Sequence, residues 1–530
     1  MVGERFNAST YLLDRRLEAG DGDRVALTGP AGELTYRLLH DRTCRVAAGL
    51  RRVGLEAEQR IVIFMADGPE WVTLFLAAMR IGAVPVPVST MLRAADLAEL
   101  VVDSRARLLA VSDGYANVAA EAAAAVAAGA GSDLRGLVAG DGAQLDSALP
   151  VHTLADLAAA DEQNGAAAYP TAPDSPAFWL YTSGTTGTPK AAMHRHGSVR
   201  EVCETYGAQV LGIRPDDRCL SAAKAFFAYG LGNSVLFPLS VGAASILEPS
   251  PSRPGPLAEC ARRYGATLFF AGPTFFAKML EAGLEKGDLG DVRLAASAGE
   301  ALPASLYERW TAHFATDILD GIGMTETLHI FLSNREGAVR PGTTGVAVPG
   351  YSLRIVDDSG RDVPDGTPGT LLVRGRSAAT GYWSRYDASR LVFQGEWVRT
   401  GDTYLRDTDG CYRCLGRTGD VLKASGIWVA PAEVEELLGA HPGVAQAVVV
   451  GAADGDGLEK AVAFVVLRSG ARLTEAELEA WCREGLPSFK RPRRFVFVDG
   501  YPTTATGKVR RVDLRALAAA ALAGGGQAES

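Results

Sequence analysis

Short apolar runs alternate with helical periodicity over most of the chain. The run IVIFMA after Arg60 is followed by Glu70-WVTLFLAAMRIG, in which Trp71, Leu74, Phe75 and Ala78 recur at helical spacing. The same beat returns in LLAVS after Arg107 and in FWLY after Ala177, ahead of a helix-like segment from Val199. It continues in LFFAG after Thr267, ahead of FAKML after Phe275, and in RLAAS after Val292. Such alternation predicts an α/β architecture with largely parallel sheets. From Thr343 to Gly416 the rhythm shortens to strand-like pieces between Gly and Pro turns, which predicts a compact β unit. Past Gly416 it changes again, to a helix near Pro431, strands at Ala445-QAVVVGA and Ala461-VAFVVL, and a second helix opened by Thr474. Thr474 and Glu477 have the spacing of a capping box. The tail is therefore expected to be a small α+β domain of about 110 residues. The Ala-rich stretch from Ala116 to Ala130 reads as a surface helix or variable loop, since Ala is the best helix former.

At 530 residues the chain exceeds one compact core and implies about two to four units. Its 47% hydrophobic and 22% charged content is ordinary globular usage and excludes collagen-like, coiled-coil and wholly disordered chains. With 53 basic against 62 acidic residues the net charge is −9, the wrong sign for binding nucleic acid through its phosphates. The start, MVGERFNASTYLLDRR, carries charges at Glu4 and Arg5 and no apolar run, which points to the cytoplasm rather than to export. Seven scattered cysteines are expected to be reduced thiols. No formal charge falls between Lys224 and Glu248. However, Gly230, Gly232, Asn233, Pro238 and Gly242 interrupt that stretch, so no membrane span is expected where about 20 apolar residues are needed.

The segment Tyr181-TSGTTGTPK concentrates candidate chemistry. Gly184 and Gly187 permit unusual backbone angles, Ser and Thr hydroxyls interleave with them, and Lys190 closes the loop, a composition suited to cradling phosphate. It is not a Walker A loop, because the glycines are three apart and Pro189 precedes the lysine. Two other constellations carry less. Cys411 and Cys414 have CxxC spacing without a second pair, and His194 and His196 lack a carboxylate or thiol partner in sequence, so both pairs are read as packing.

The loop from Tyr181 to Lys190 resembles the signature of the adenylate-forming superfamily, which contains acyl- and aryl-CoA synthetases, peptide-synthetase adenylation domains and luciferases. Gly321-IGMTET, Arg399-TGD, Gly416-RTGDVLKASG and Pro502-TTATGK agree in order and spacing, so the likeness spans nearly the whole chain. Within that superfamily, Ser221-AAKAFFAYGLGN, Ser297-AGEALP and Asp320-GIGMTETLHIFLSN are most similar to benzoate-CoA ligases. The fold this implies is a large N-terminal domain, residues 1–418, of two βα sheets plus a small β-barrel. A small mobile α+β C-terminal domain, 419–530, follows.

The resemblance also implies roles. Thr182, Ser183, Gly184, Thr185, Thr186, Gly187 and Lys190 match the phosphate loop, and Ala298, Gly299, Glu300, Asp320, Gly321 and Ile322 match the segments around adenine. Asp402 matches the carboxylate that takes the ribose hydroxyls, supported by Arg417. Thr325 matches a phosphate-contacting hydroxyl and Glu326 the holder of Mg²⁺. Lys508 matches the lysine that bridges carboxylate and α-phosphate. Phe227, Ala228, Tyr229, Gly323, His329 and Ile330 match the positions around an aromatic ring, with His329 either bonded to backbone or meeting a ring substituent. The loop Lys423 to Trp428, with Gly426 beside a pantetheine tunnel, matches the element that enters for the second half-reaction. Gly419 stands at the pivot, where an Asp or Lys is usual, which puts control of the hinge by a charged side chain in doubt.

The expected activity is therefore ATP-dependent aryl-CoA ligation, with ATP, Mg²⁺ and CoA taking part, in a monomer or homodimer with no membrane or nucleic-acid partner. Transfer of the aryl group to a carrier protein's phosphopantetheine shares every motif. The feature separating the two is a basic CoA nucleotide site, for which Lys490-RPRR494 is a candidate. A catalytically silent nucleotide-binding homologue and a luciferase-like oxygenase are further alternatives, and the presence of Lys508 weighs against the former.

Overall fold

The computed structural model describes all residues except 1–3, 130–131, 141, 160–166, 184–187, 425–426, 454–458, 503–508 and 525–530. The expected α/β architecture is present as two large sheets. In the nine-stranded sheet Val25–Thr28, Ala244–Ile246, Arg218–Ser221, Leu268–Ala271, Leu294–Ser297 and Asp317–Gly323 lie side by side and parallel, in that order. Ile330–Ser333 and Val346–Ala347 extend one edge antiparallel, and Leu34–Thr35 the other. The second sheet, Val84–Pro87, Arg60–Phe64, Ala106–Val111, Gly136–Ala139 and Val151–Thr153, is parallel throughout.

The continuous apolar runs follow from burial of both sheet faces. Ile61 and Ile63 point into the core shared with the helices Tyr36–Arg52 and Pro69–Arg80, whereas Val62 and Phe64 point to a second core beneath Ala94–Asp103 and Ala116–Ala128. Leu268 and Phe270 likewise join the shared core, while Phe269 and Ala271 face Pro254–Tyr264, Pro273–Glu281 and Ala304–Phe314. The Ala-rich helix thus packs by Ala119, Ala122, Ala123 and Val126.

One local expectation is revised. FWLY lies in Pro176–Ser183, but the helix His196–Val202 does not follow directly, because Pro189–Arg195 returns first as an antiparallel strand. The two strands form a hairpin in which Thr182 pairs with Lys190. Ser352–Val356, Gly369–Arg374, Phe393–Gln394, Trp397–Arg406 and Tyr412–Arg417 form the compact β unit. The tail pairs Val444–Ala453, Glu459–Leu467 and Arg494–Phe497. Pro431–Gly439 and Glu475–Gly485 cover one face of this small sheet, and Arg511–Gly524 covers the other. Thr474 and Glu477 make both bonds of the capping box. Among the described residues no helix is long and apolar enough to cross a membrane, and all seven cysteines are free thiols.

Candidate active site

Ligands in open α/β sheets collect at the carboxyl ends of the strands, and Ala298 to Glu300 and Asp320 to Gly323 lie there. Ser297 is in register with Asp320, so Ala298, Gly299 and Glu300 leave one strand where Asp320 to Gly323 finish the next. Asp320 is buried, one of its carboxylate oxygens has no hydrogen-bond partner among the described residues, and burial pushes its carboxyl well above the usual carboxylate range. Glu300 is exposed and accepts a 3.0 Å hydrogen bond from the Thr274 hydroxyl.

Asp317–Gly323 and Ile330–Ser333 are the arms of a hairpin whose tip is a single helical turn, Thr325–Thr327. Leu328 closes the tip at φ +69°, a strained angle for a residue with a side chain. This hairpin brings Gly323, His329 and Ile330 together with Thr325 and Glu326. Gly323 pairs with Ile330 so tightly that a Cβ there would lie 2.6 Å from the carbonyl of His329. The Thr325 carbonyl is pinned by His194 Nε2 at 2.8 Å. His194 also stacks on Phe178, so the first of the two histidines read as packing ties the hairpin of Pro176–Ser183 and Pro189–Arg195 to this tip. His196 Nδ1 accepts from the Ala8 N–H at 2.9 Å.

Phe227 caps the short helix Ala228–Leu231, and Tyr229 donates its hydroxyl to the Ala296 carbonyl at 2.8 Å. His329 is a core histidine that also lines this region: Nε2 lies 3.3 Å from the Tyr229 carbonyl, and the ring meets Tyr206, Tyr229 and Phe237 at 5.2, 5.4 and 4.6 Å. Burial pushes it down to about 3, so it is neutral at physiological pH. Two π-helical segments supply neighbours, Cys203–Val210 with Tyr206 and Gly232–Leu236 with Gly232. Among the described residues, the buried Tyr206 hydroxyl and both polar atoms of the buried Asn233 amide make no hydrogen bond.

Asp67 escaped the sequence reading. Both of its oxygens accept the Ala225 N–H, at 3.1 and 3.2 Å, just before Phe227, and burial raises its carboxyl to about 6. Tyr382 escaped it as well. Its hydroxyl donates to Glu326 Oε1, its ring centroid lies 5.8 Å from Lys190 Nζ, and Ala379 N–H donates to the Glu326 carbonyl at 2.8 Å. Glu326, a largely buried residue, offers hard carboxylate oxygen, the donor chemistry Mg²⁺ requires.

On the β unit Asp402 and Arg417 are cross-strand partners, with Nε 3.3 Å from Oδ1, and Arg417 also donates to the Thr400 carbonyl. Burial, and then Cys414, Asp402 and Asp320, push the Tyr404 phenol upward. Gly419 is exposed, with nothing within 4 Å of a Cβ placed there. The next residue, Asp420, is gripped by Arg515, with Arg511 at 3.9 Å. Leu422–Ala424 and Ile427–Val429 pair antiparallel on either side of residues 425–426. In the basic cluster, Lys490 pairs with Glu433 at 2.6 Å and Arg494 with Glu475 at 3.7 Å. Gly184, Thr185, Thr186, Gly187, Gly426 and Lys508 lie outside the described residues, as does the side chain of Ser183.

A family model described as AMP-binding enzyme matches residues 13–383, and one described as AMP-binding enzyme C-terminal domain matches 433–508. A benzoate–CoA ligase of Thauera aromatica is 43% identical over 521 residues, 97% of this chain and 96% of that protein. A 4-hydroxybenzoate–CoA/benzoate–CoA ligase of Rhodopseudomonas palustris is 42% identical, over 96% of this chain and 94% of that one. The crystal structure of a benzoate CoA ligase from Burkholderia xenovorans LB400 superposes with a TM-score of 0.86 at 40% identity, covering 96% of this chain and 100% of that one.

Proposed function

The chain belongs to the AMP-binding enzyme family, and from that premise we propose an ATP-dependent aryl-CoA ligase acting on benzoate or a small substituted benzoate. In the first step a carboxylate oxygen attacks the α-phosphorus of ATP, the bond to the bridging oxygen breaks, and pyrophosphate leaves an aryl-adenylate. In the second, the CoA sulfur attacks the aryl carbonyl, the carbon–oxygen bond to AMP breaks, and the thiol proton passes to solvent. The observation that carries this reading is the single hairpin on which Gly323, His329 and Ile330 stand beside Thr325 and Glu326, so that acid and phosphate meet.

The acid lies against Phe227, Ala228, Tyr229, Gly323, His329 and Ile330. None of the six is charged at neutral pH, which suits a flat apolar ring and gives a substrate ammonium no counter-ion. Thr182, Ser183, Gly184, Thr185, Thr186, Gly187 and Lys190 receive the phosphates with Thr325. Ala298, Gly299, Glu300, Asp320, Gly321 and Ile322 receive adenine, and Asp402 with Arg417 receives the ribose. Mg²⁺ held by Glu326 would neutralise charge on the polyphosphate. Lys508 steadies the approaching carboxylate against the α-phosphate, charge that exists only in the first step.

For the second step the unit beginning at 419 turns about Gly419 and brings the loop around Gly426 in place of Lys508. The grip of Arg515 and Arg511 on Asp420 supports a boundary at 418/419, because it fastens Asp420 to the last helix of the tail. Lys508→Ala tests the division of labour in single-turnover assays. Adenylation is expected to be nearly abolished, with transfer from supplied aryl-adenylate to CoA largely intact. Equal loss in both steps would refute it.

A further inference from the structure

Residues 379–383 reach the phosphate side from a distant part of the chain. Thr380 N–H donates to the Met193 carbonyl at 2.9 Å, Met193 N–H to Gly381 at 3.0 Å, and Trp383 N–H to Ala191 at 2.9 Å. The segment thereby lies along the outer strand of the hairpin that bears the phosphate loop, with Tyr382 opposite Ala192. From that strand position the Tyr382 side chain crosses to Glu326. The Tyr382 backbone is held by the Ser389 hydroxyl at 2.9 Å and its ring by Phe393 at 5.3 Å. The phenol of Tyr382 donates its O–H to Glu326 Oε1. Glu326 is consequently held twice from this segment, at its backbone by Ala379 and at its carboxylate by Tyr382. Among the described residues, Oε2 accepts no hydrogen bond.

We propose that Tyr382 is a positioning residue that couples the phosphate-loop lysine to the metal-holding carboxylate: its hydroxyl orients Glu326 and leaves one carboxylate oxygen for Mg²⁺, while its ring backs Lys190. The proposal rests on the reading of Glu326 given above. Groups that orient a metal ligand without touching the metal fix its geometry before the ion arrives, and their loss typically costs about 10- to 100-fold in metal affinity or activity. A tyrosine that merely fills its small cluster with Ala192 and Ala379 predicts no such selectivity for the metal.

Tyr382→Phe deletes one oxygen and keeps the ring over Lys190. The test is calorimetric binding of ATP with and without Mg²⁺ to the full chain, for the native protein, Tyr382→Phe, Glu326→Gln and the double variant. We expect Tyr382→Phe to weaken ATP binding about 10-fold with Mg²⁺ present and by less than about twofold without it. In the Glu326→Gln background the same change should add less than about twofold, because the effect passes through the carboxylate. Equal weakening with and without Mg²⁺, no weakening at all, or additivity in the double variant overturns the role of Tyr382. If Glu326→Gln itself leaves the Mg²⁺-dependent affinity intact, the assignment of Glu326 is wrong and the proposal falls with it.

Discussion

Gly323→Ala is the most demanding test of how the site is held. A Cβ at Gly323 would sit 2.6 Å from both the carbonyl carbon and the oxygen of His329, and 2.7 Å from Ile330 N. Carbon contacts settle near 3.5–4.0 Å, so the two strands must part by about 1 Å. The obstructing atoms are backbone, which cannot rotate away as a side-chain tip can. The displacement passes to the turn Thr325–Thr327, which joins the same two strands. Misplacing reacting groups by about 1 Å costs about 100-fold, equivalent to about 2.7 kcal/mol of barrier. Stability should fall by only about 1–3 kcal/mol, the usual toll of overpacking. The assay is benzoate-dependent pyrophosphate exchange alongside denaturant unfolding. Gly255→Ala, whose Cβ would meet nothing within 4 Å, is the matched control. Exchange by Gly323→Ala within about threefold of the native rate would show that this strand spacing does not place Thr325 and Glu326.

The buried histidines carry a pH signature. His196 is pushed by burial from 6.5 to about 3, so below pH 6.5 the unfolded chain takes a proton that the native chain refuses, and stability is lost as pH falls. Asp67 and Asp320, raised by burial, act in the opposite direction, so the effect is read as a difference. The stability advantage of the native protein over His196→Asn should shrink by about 2 kcal/mol between pH 7.5 and 5.0 in urea titrations, and a constant difference would contradict the assignment. Separately, if Gly426 borders the pantetheine arm as proposed, Gly426→Leu should let aryl-adenylate accumulate while thioester release fails. Collapse of pyrophosphate exchange with transfer from supplied adenylate intact would place Gly426 in the first step instead.

What the sequence discloses, and what it hides, divides by chain distance. The alternation of Ile61 and Ile63 against Val62 and Phe64 across two cores is written in a single run, as is the cap formed by Thr474 and Glu477. Gly323, Thr325, Glu326, His329 and Ile330 were legible together because one short motif contains them and one hairpin folds them. The return strand Pro189–Arg195 was less so: Lys190-AAMHR lacks a clear two-residue alternation, and its pairing across the phosphate loop makes it a strand. Asp67 and Tyr382 left no signal, since their partners Ala225 and Glu326 lie 158 and 56 residues away, and His194 read only as packing because its partner Thr325 lies 131 residues away. Each is an ordinary residue type made specific by tertiary contact.

The most direct test of the account is a comparison of kcat/KM for benzoate, octanoate and phenylalanine, following AMP and acyl-thioester together with CoA present and with CoA omitted. Benzoate is expected well ahead of both competitors, with thioester formed in step with AMP only when CoA is supplied. A higher value for octanoate or phenylalanine would contradict the flat uncharged slot around Tyr229 and His329. AMP release from benzoate without thioester in the presence of CoA would contradict the ligase itself.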